Sequence, residues 1–277
     1  MDYTLNCNGQ LLDLSTPQVM GILNATPDSF YAASRTQTER EIVSRTEQIL
    51  NEGGSIIDVG ACSTRPDSKT ATEAEEAERL RLALKTIRSV APHAIVSVDT
   101  FRPQLARIAV EEFGAAIIND VGAPVNSPEV TVDSQKDMFR MVSRLRVPYI
   151  YMSRKSSIKD ILLDSAEVID MLRSMGQKDI IIDPGFGFGK TVEQNYEVMN
   201  GLEQLQMLKL PLLVALSRKS MIYRLLETSQ EEALTGTIAL NTIALLKGAD
   251  ILRVHDVKEA VECIKIVNKI ACSSNLV

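Results

Sequence analysis

Eight short apolar runs, most with a polar group at or near the end and each followed by a longer stretch of different spacing, constrain this chain more than any other feature. They read VMGILN from Val19, SIIDVG from Ser55, AIVSVDT from Ala94, AAIIND from Ala115, VPYIYMS from Val147, DIIIDP from Asp179, PLLVALS from Pro211 and DILRVHD from Asp250. Near-continuous apolar runs suit parallel strands covered by helices. The stretches between them, such as TEREIVSRTEQILNE, TEAEEAERLRLALKTI and TVEQNYEVMNGLEQLQML, place apolar residues three and four apart, which is helical spacing. Glycines at 53, 54, 114, 176 and 248 stand where left-handed helix caps are expected, just before the next run. Eight β/α units in 277 residues predict an α/β fold with a single domain, a (β/α)8 TIM barrel over residues 18–277, in preference to an open doubly wound sheet. Ahead of it, YTLNCNGQLLDL alternates around Asn8-Gly9 and predicts a short N-terminal β-hairpin within residues 1–17.

Bulk properties narrow the function classes. A net charge of -6 gives no general attraction to nucleic acid or anionic membranes, so any anion site must be local. The four cysteines have no C-x-x-C spacing and no histidine cluster beside them, which argues against structural zinc and fits a reducing compartment. The N-terminus lacks a signal-peptide pattern, and no apolar run approaches the roughly 20 residues of a membrane span. A cytoplasmic protein with small-molecule partners is expected.

A barrel of this class carries its active site at the C-terminal ends of its strands. The runs end on Asn24, Asp58, Asp99, Asn119, Met152, Asp183, Ser217 and Arg253. Polar groups after apolar residues cost stability unless they have partners. Any one of them could cap a helix; seven converging on one rim point to a site. The sixth run continues as DPGFGFGKT, which looks like a phosphate cradle and is not one. A P-loop would need glycine where Pro184 stands, and a dinucleotide fingerprint would need it at Lys190. The glycines read instead as permission for sharp turns beside Phe188.

The ordered set MGILNATPDSF, IIDVGACSTRP, VSVDT, IINDV, DPGFGFGK, LSRKS and RVHDV resembles the dihydropteroate synthase family over nearly the whole chain. The resemblance implies condensation of 6-hydroxymethyl-7,8-dihydropterin diphosphate with 4-aminobenzoate, releasing diphosphate, in folate biosynthesis. It implies that Asp99, Asn119, Asp183 and Lys219 line the pterin, with apolar contact from Met152 and Phe188. Thr64, Arg65, Arg253 and His255 would contact the diphosphate, and Asn24 would help to hold Mg2+ on it. Phe30, Pro66, Ser217 and Lys219 would form the 4-aminobenzoate site. Asp28, on a first loop that closes over the substrates, joins Asp99, Asp183, Lys219 and Arg253 as catalytic. A homodimer through barrel helices is also implied. Alternatives are a pterin-binding methyltransferase barrel acting on methyltetrahydrofolate, and a pterin-binding paralogue without turnover.

The chain departs from the family in places. Tyr31-Ala32-Ala33-Ser34 stands for the usual Ser-Asp-Gly-Gly, Gly60-Ala61-Cys62 for Gly-Gly-Glu, and Tyr151-Met152-Ser153-Arg154 for His-Met-Gln-Gly. Outside the motifs, Met138, Met171 and Met199 read as helix core, His93 as an ordinary loop residue, and Glu73 to Glu78 as a solvated charged helix face.

Overall fold

The computed structural model describes residues 3–25, 35–62, 71–122 and 132–274. Strands β1 (Thr4–Cys7) and β2 (Gln10–Asp13) form the expected antiparallel hairpin, with Asn8 and Gly9 both at positive φ in its turn. Eight parallel strands follow: β3 (Gln18–Asn24), β4 (Ile56–Gly60), β5 (Ile95–Asp99), β6 (Ile117–Asp120), β7 (Tyr149–Met152), β8 (Ile180–Asp183), β9 (Leu213–Val214) and β10 (Ile251–Val254). Their order, β8-β7-β6-β5-β4-β3-β10-β9, is that of a barrel opened between β8 and β9. A parallel bridge from Ile182 to Leu212, with the Ile182 N–H donating to the Pro211 carbonyl at 2.9 Å, spans that seam.

Helices α1 (Arg35–Asn51), α2 (Glu73–Val90), α3 (Pro103–Phe113), α4 (Val132–Leu145), α5 (Ile158–Ser174), α6 (Val192–Asn200), α7 (Ser220–Leu225), α8 (Leu234–Leu246) and α9 (Val257–Ser274) alternate with the strands. α3 ends on Gly114 in the left-handed conformation, and Gly53, Gly176 and Gly248 also take positive φ.

Period two sorts the strand residues into two cores. Outward-facing Val19, Ile57, Val96, Ile118, Ile180 and Leu252 pack with the helices. Inward-facing Met20, Ile56, Ile95, Ile117, Ile150 and Ile181 form a separate cluster with Leu5, Cys7, Leu12 and Leu14 of the hairpin segment. The hairpin therefore plugs the N-terminal end of the lumen, and each fully buried leucine contributes about 2 kcal/mol. Two residues further along most of these strands the lumen turns polar. Asp58, Ser97, Asn119, Met152, Asp183 and Arg253 all share the inward parity of that apolar floor.

Three sequence expectations change. The run PLLVALS keeps only a two-residue strand, because the chain leaves the ladder after Val214 and turns at Arg218, where φ is 54°. The long helix expected from Thr191 stops at Asn200 and continues as a 3-10 segment, Leu202–Leu208. Leucines at 202, 205 and 208 repeat every three residues, which a 3-10 turn satisfies as well as an α-helix does. Finally, Glu76 is 1% exposed and not on a solvated face. It is paired with buried Arg102 and accepts from the Thr100 hydroxyl at 2.9 Å. Arg102 in turn donates to the Ala71 carbonyl at 2.8 Å. Met138 and Met199 are buried as expected, and Met171 is partly so.

Candidate active site

The polar layer is wired together across the lumen. Arg253, on β10, donates from Nε to Asp58 Oδ2 at 2.6 Å and from Nη2 to Asp99 Oδ2 at 2.9 Å. Asn119 Nδ2 donates to the same Asp58 oxygen at 3.1 Å. Asp58 Oδ1, Ser97 Oγ and Asn119 Oδ1 are buried and make no hydrogen bond. Natively buried polar atoms are nearly always satisfied, so three orphans on neighbouring strands of the lumen mark a place for a polar ligand edge. The next residue shows how strictly parity divides the work. Asp120 faces outward, where it accepts from the Tyr149 hydroxyl at 2.7 Å and the Gly122 N–H at 2.8 Å.

The loop after β8 builds one wall. Gly185, Gly187 and Gly189 take φ of 69°, 78° and 63°, so the chain folds back on itself in a way that L side chains resist. Within it, the Gly185 N–H donates to Asp183 Oδ1 at 2.7 Å, the Gly187 N–H to Asn195 Oδ1 at 2.7 Å, and Lys190 Nζ to the Gly185 carbonyl at 2.9 Å. The inference that this loop is a turn and not a phosphate cradle agrees with these internal bonds. Lys219 reaches across from the β9 side. Its ammonium donates to the Phe186 carbonyl and lies 4.7 Å from the centre of the Phe188 ring, a cation–π distance. Phe188 thus meets Lys219, while Phe186 is buried core.

Electrostatics follow from burial. Desolvation drives the Asp99 carboxyl up to about 7 against the opposing pull of Arg253. It raises Asp183 as well, opposed chiefly by Lys219. Lys219 and Lys190 are each pushed down to about 8 by burial, with Asp183 resisting in both cases. His255 falls to about 4, first from burial and then from Arg253. The fold therefore makes His255 a neutral imidazole near pH 7.

Its surroundings tie the β10 exit in place. Arg45 donates to the His255 carbonyl at 2.6 Å and the His255 N–H donates to Ser217 Oγ at 3.1 Å. Arg218 forks onto Asp256, with Nε and Nη2 each at 2.9 Å from a carboxylate oxygen. Its own N–H donates to Thr237 Oγ1 at 3.0 Å. Arg218 therefore pins the turn that presents Ser217 and Lys219.

The structure brings Asp99, Asn119, Asp183, Lys219 and Arg253 to one end of the lumen, with buried Met152 on the neighbouring strand and Asn24 at the end of β3. Ser217 and His255 sit beside Arg253 on the same rim. Asp28, Phe30, Thr64, Arg65 and Pro66 lie outside the described residues. Sequence alone does not single out Asp58 as a node, nor Lys190 and Arg218 as supports. Asp58 was legible as a strand-end carboxylate, but its partners are 61 and 195 residues away.

A nearly closed parallel barrel with a polar lumen layer, orphaned acceptors and cations at the rim is a small-ligand enzyme site at the usual end of this fold. A family model described as pterin binding enzyme matches residues 20–255, which span every barrel strand end and every site residue above. The dihydropteroate synthase of Clostridium beijerinckii is 39% identical over 250 residues, covering 87% of this chain and 89% of that protein. The structure of Xanthomonas albilineans dihydropteroate synthase with 4-aminobenzoic acid matches with a TM-score of 0.87 at 31% identity, covering 98% of this chain and 99% of that one. The same organism's enzyme in complex with 7,8-dihydropteroate gives 0.84 at 31% identity, over 97% and 99%. The chain belongs to the dihydropteroate synthase family.

Proposed function

We infer that this chain joins the methylene of 6-hydroxymethyl-7,8-dihydropterin diphosphate to the amine of 4-aminobenzoate. The observation that carries the reading is the lumen layer itself: acceptors on Asp99, Asn119 and Asp183, with buried Asn119 Oδ1 left without a partner, beside the cations Lys219 and Arg253. A pterin has a planar edge of ring N–H and amino donors, which such acceptors satisfy, and its diphosphate tail needs the positive rim.

In the reaction the methylene carbon–oxygen bond breaks and its electron pair leaves with diphosphate. Positive charge then spreads over the methylene and ring. Asp99 and Asp183 already face that position, so they stabilise the charge without reorganising. The amine nitrogen of 4-aminobenzoate attacks the methylene and loses a proton to solvent. Arg253 offers planar donors to the departing diphosphate, and neutral His255 adds a single N–H. For Arg253 this entails exchanging its Asp99 contact for phosphate oxygens. Ser217 Oγ accepts from the His255 backbone, which leaves its hydroxyl hydrogen for the 4-aminobenzoate carboxylate. By resemblance Thr64 and Arg65 join the diphosphate, Pro66 and Phe30 the aminobenzoate, and Asp28 the closing loop.

Among the described residues no cluster of acidic, histidine or cysteine side chains could hold a metal alone. Asn24 Oδ1, at the strand end, faces Gly60, where an added Cβ would lie 3.5 Å from it. One amide oxygen at the rim suits Mg2+, which keeps waters and takes most other ligands from substrate phosphate. When bound it would neutralise charge on the diphosphate.

No helix among the described residues is long and apolar enough to cross a membrane, and none of the four cysteines is in a disulfide. For the homodimer, the support is exposed apolar side chains at the end of α7 and on α8, where Leu225, Leu226, Ile243 and Leu246 are 57%, 52%, 39% and 61% exposed. Sedimentation velocity should give a dimer that Leu246→Glu weakens; a monomer at all concentrations would refute it.

Purified protein mixed with the pterin diphosphate, 4-aminobenzoate and Mg2+ should yield dihydropteroate and diphosphate in equal amounts. No product across a range of pH and Mg2+ concentrations would overturn the proposal.

A further inference from the structure

Asp58 lies fully buried in the middle of β4, and one of its oxygens serves two residues of the site. Oδ2 accepts from Arg253 Nε at 2.6 Å and has the Asn119 side chain at 3.1 Å. A guanidinium only donates, so the oxygen it contacts must be an acceptor, and the Asn119 group facing that oxygen must be its NH2. The orientation of the amide is thereby dictated by chemistry. Its carbonyl, Asn119 Oδ1, is turned away from Asp58, buried and without a partner.

We propose that Asp58 is a positioning residue that fixes which way round the Asn119 amide stands, making that part of the pterin pocket an acceptor. The inference rests on the proposed function and deepens it, because it names what sets the pocket's choice of ligand. Asn119 sits directly opposite Asp99 in the strand ladder, so two acceptors stand side by side. A ring edge carrying N–H groups satisfies them. A ring edge carrying carbonyls meets lone pair with lone pair and leaves buried groups unpaired, a difference of about tenfold or more in affinity. The same carboxylate holds Arg253, so the acceptor wall and the rim cation share one support.

The test removes the shared acceptor or keeps it. In Asp58→Leu no oxygen faces Asn119, so nothing fixes which way its amide stands. In Asp58→Asn an oxygen in the place of Oδ2 still accepts from both Arg253 and Asn119, and the new NH2 takes the place of Oδ1, which has no partner. The probe is 6-hydroxymethylpterin, which has no diphosphate to meet Arg253. By calorimetry, Asp58→Leu should bind it about tenfold or more weakly than the wild type, and Asp58→Asn should keep most of the affinity.

In an Asn119→Ala background Asp58→Leu should cost little further affinity, because the amide it orients is gone, whereas a generic structural role would add its full cost there. If thermal melting shows that Asp58→Leu does not fold, Asp58→Asn decides the matter, since a tenfold loss there contradicts the shared-acceptor geometry. Unchanged affinity in Asp58→Leu, a tenfold loss in Asp58→Asn, or full additivity with Asn119→Ala overturns the proposal. A wild-type protein that binds no pterin at all would instead overturn the proposed function on which it stands.

Discussion

Replacing Gly185 with alanine tests whether the loop after β8 supports the site through its backbone shape. Gly185 has φ of 69°, and a Cβ there would overlap the Ser153 carbonyl oxygen and approach Met152 Cγ to 3.1 Å. The left-handed conformation costs an alanine about 1–2 kcal/mol. Displacing packed neighbours adds about 1–3 kcal/mol, because the obstacle is backbone and cannot rotate aside. Gly189 supplies the control: its φ is 63°, but the nearest atom to an added Cβ is the Arg154 carbonyl oxygen at 3.5 Å, an ordinary contact. Gly189→Ala should therefore show only the conformational cost of about 1–2 kcal/mol. Urea unfolding followed by circular dichroism compares the two, and Gly185→Ala should be less stable by about 1–3 kcal/mol. It should also lose pterin affinity, since the Gly185 N–H that donates to Asp183 must move. Equal stability of the two variants, or a larger loss at Gly189, would refute the steric reasoning.

Other consequences are open to measurement. Arg253→Leu leaves Asp58 and Asp99 without their shared cation, and should destabilise the fold at neutral pH by about 3 kcal/mol, with partial recovery in acid; unchanged urea midpoints would contradict the pairing. For His255 the folded value of about 4 lies below the ordinary 6.5, so the unfolded chain takes up the proton first as pH falls. Stability should drop between those values by up to about 3 kcal/mol, and His255→Gln should flatten the profile. Lys219 loses its proton near pH 8, so kcat/KM should fall above about 8. Because Asp183 holds that proton on, Asp183→Asn should move the descending limb to lower pH in whatever activity remains, and an unmoved limb would assign it to another group.

Much of this site was legible because strand ends and side-chain parity are local properties. Asp99, Asn119 and Asp183 close apolar runs, and period two alone sends them into the lumen beside one another. What escaped depends on distant partners. Glu76 sits in a run of acidic residues that looks solvated, and only the fold brings Arg102 to it. The neutrality of His255 arises from burial and from Arg253, with Arg45 of α1 and Arg218 adding to it; none of these can be weighed from the RVHD motif. Arg253 could be read as a phosphate ligand, yet its hold on Asp58 and Asp99 emerges only once β10 closes against β3. The glycine loop was the clearest case of a motif excluded by counting residues: its N–H groups at 185 and 187 turn inward to Asp183 and Asn195.

A crystal structure of the chain with the pterin diphosphate and Mg2+ would test the central claim most directly. The expected result has the pterin's donor edge against Asn119 and Asp183 and the diphosphate at Arg253 and His255, with Arg253 drawn away from Asp99. A pterin ring bound outside the lumen, or a diphosphate held by the glycine loop at residues 185–189, would contradict it.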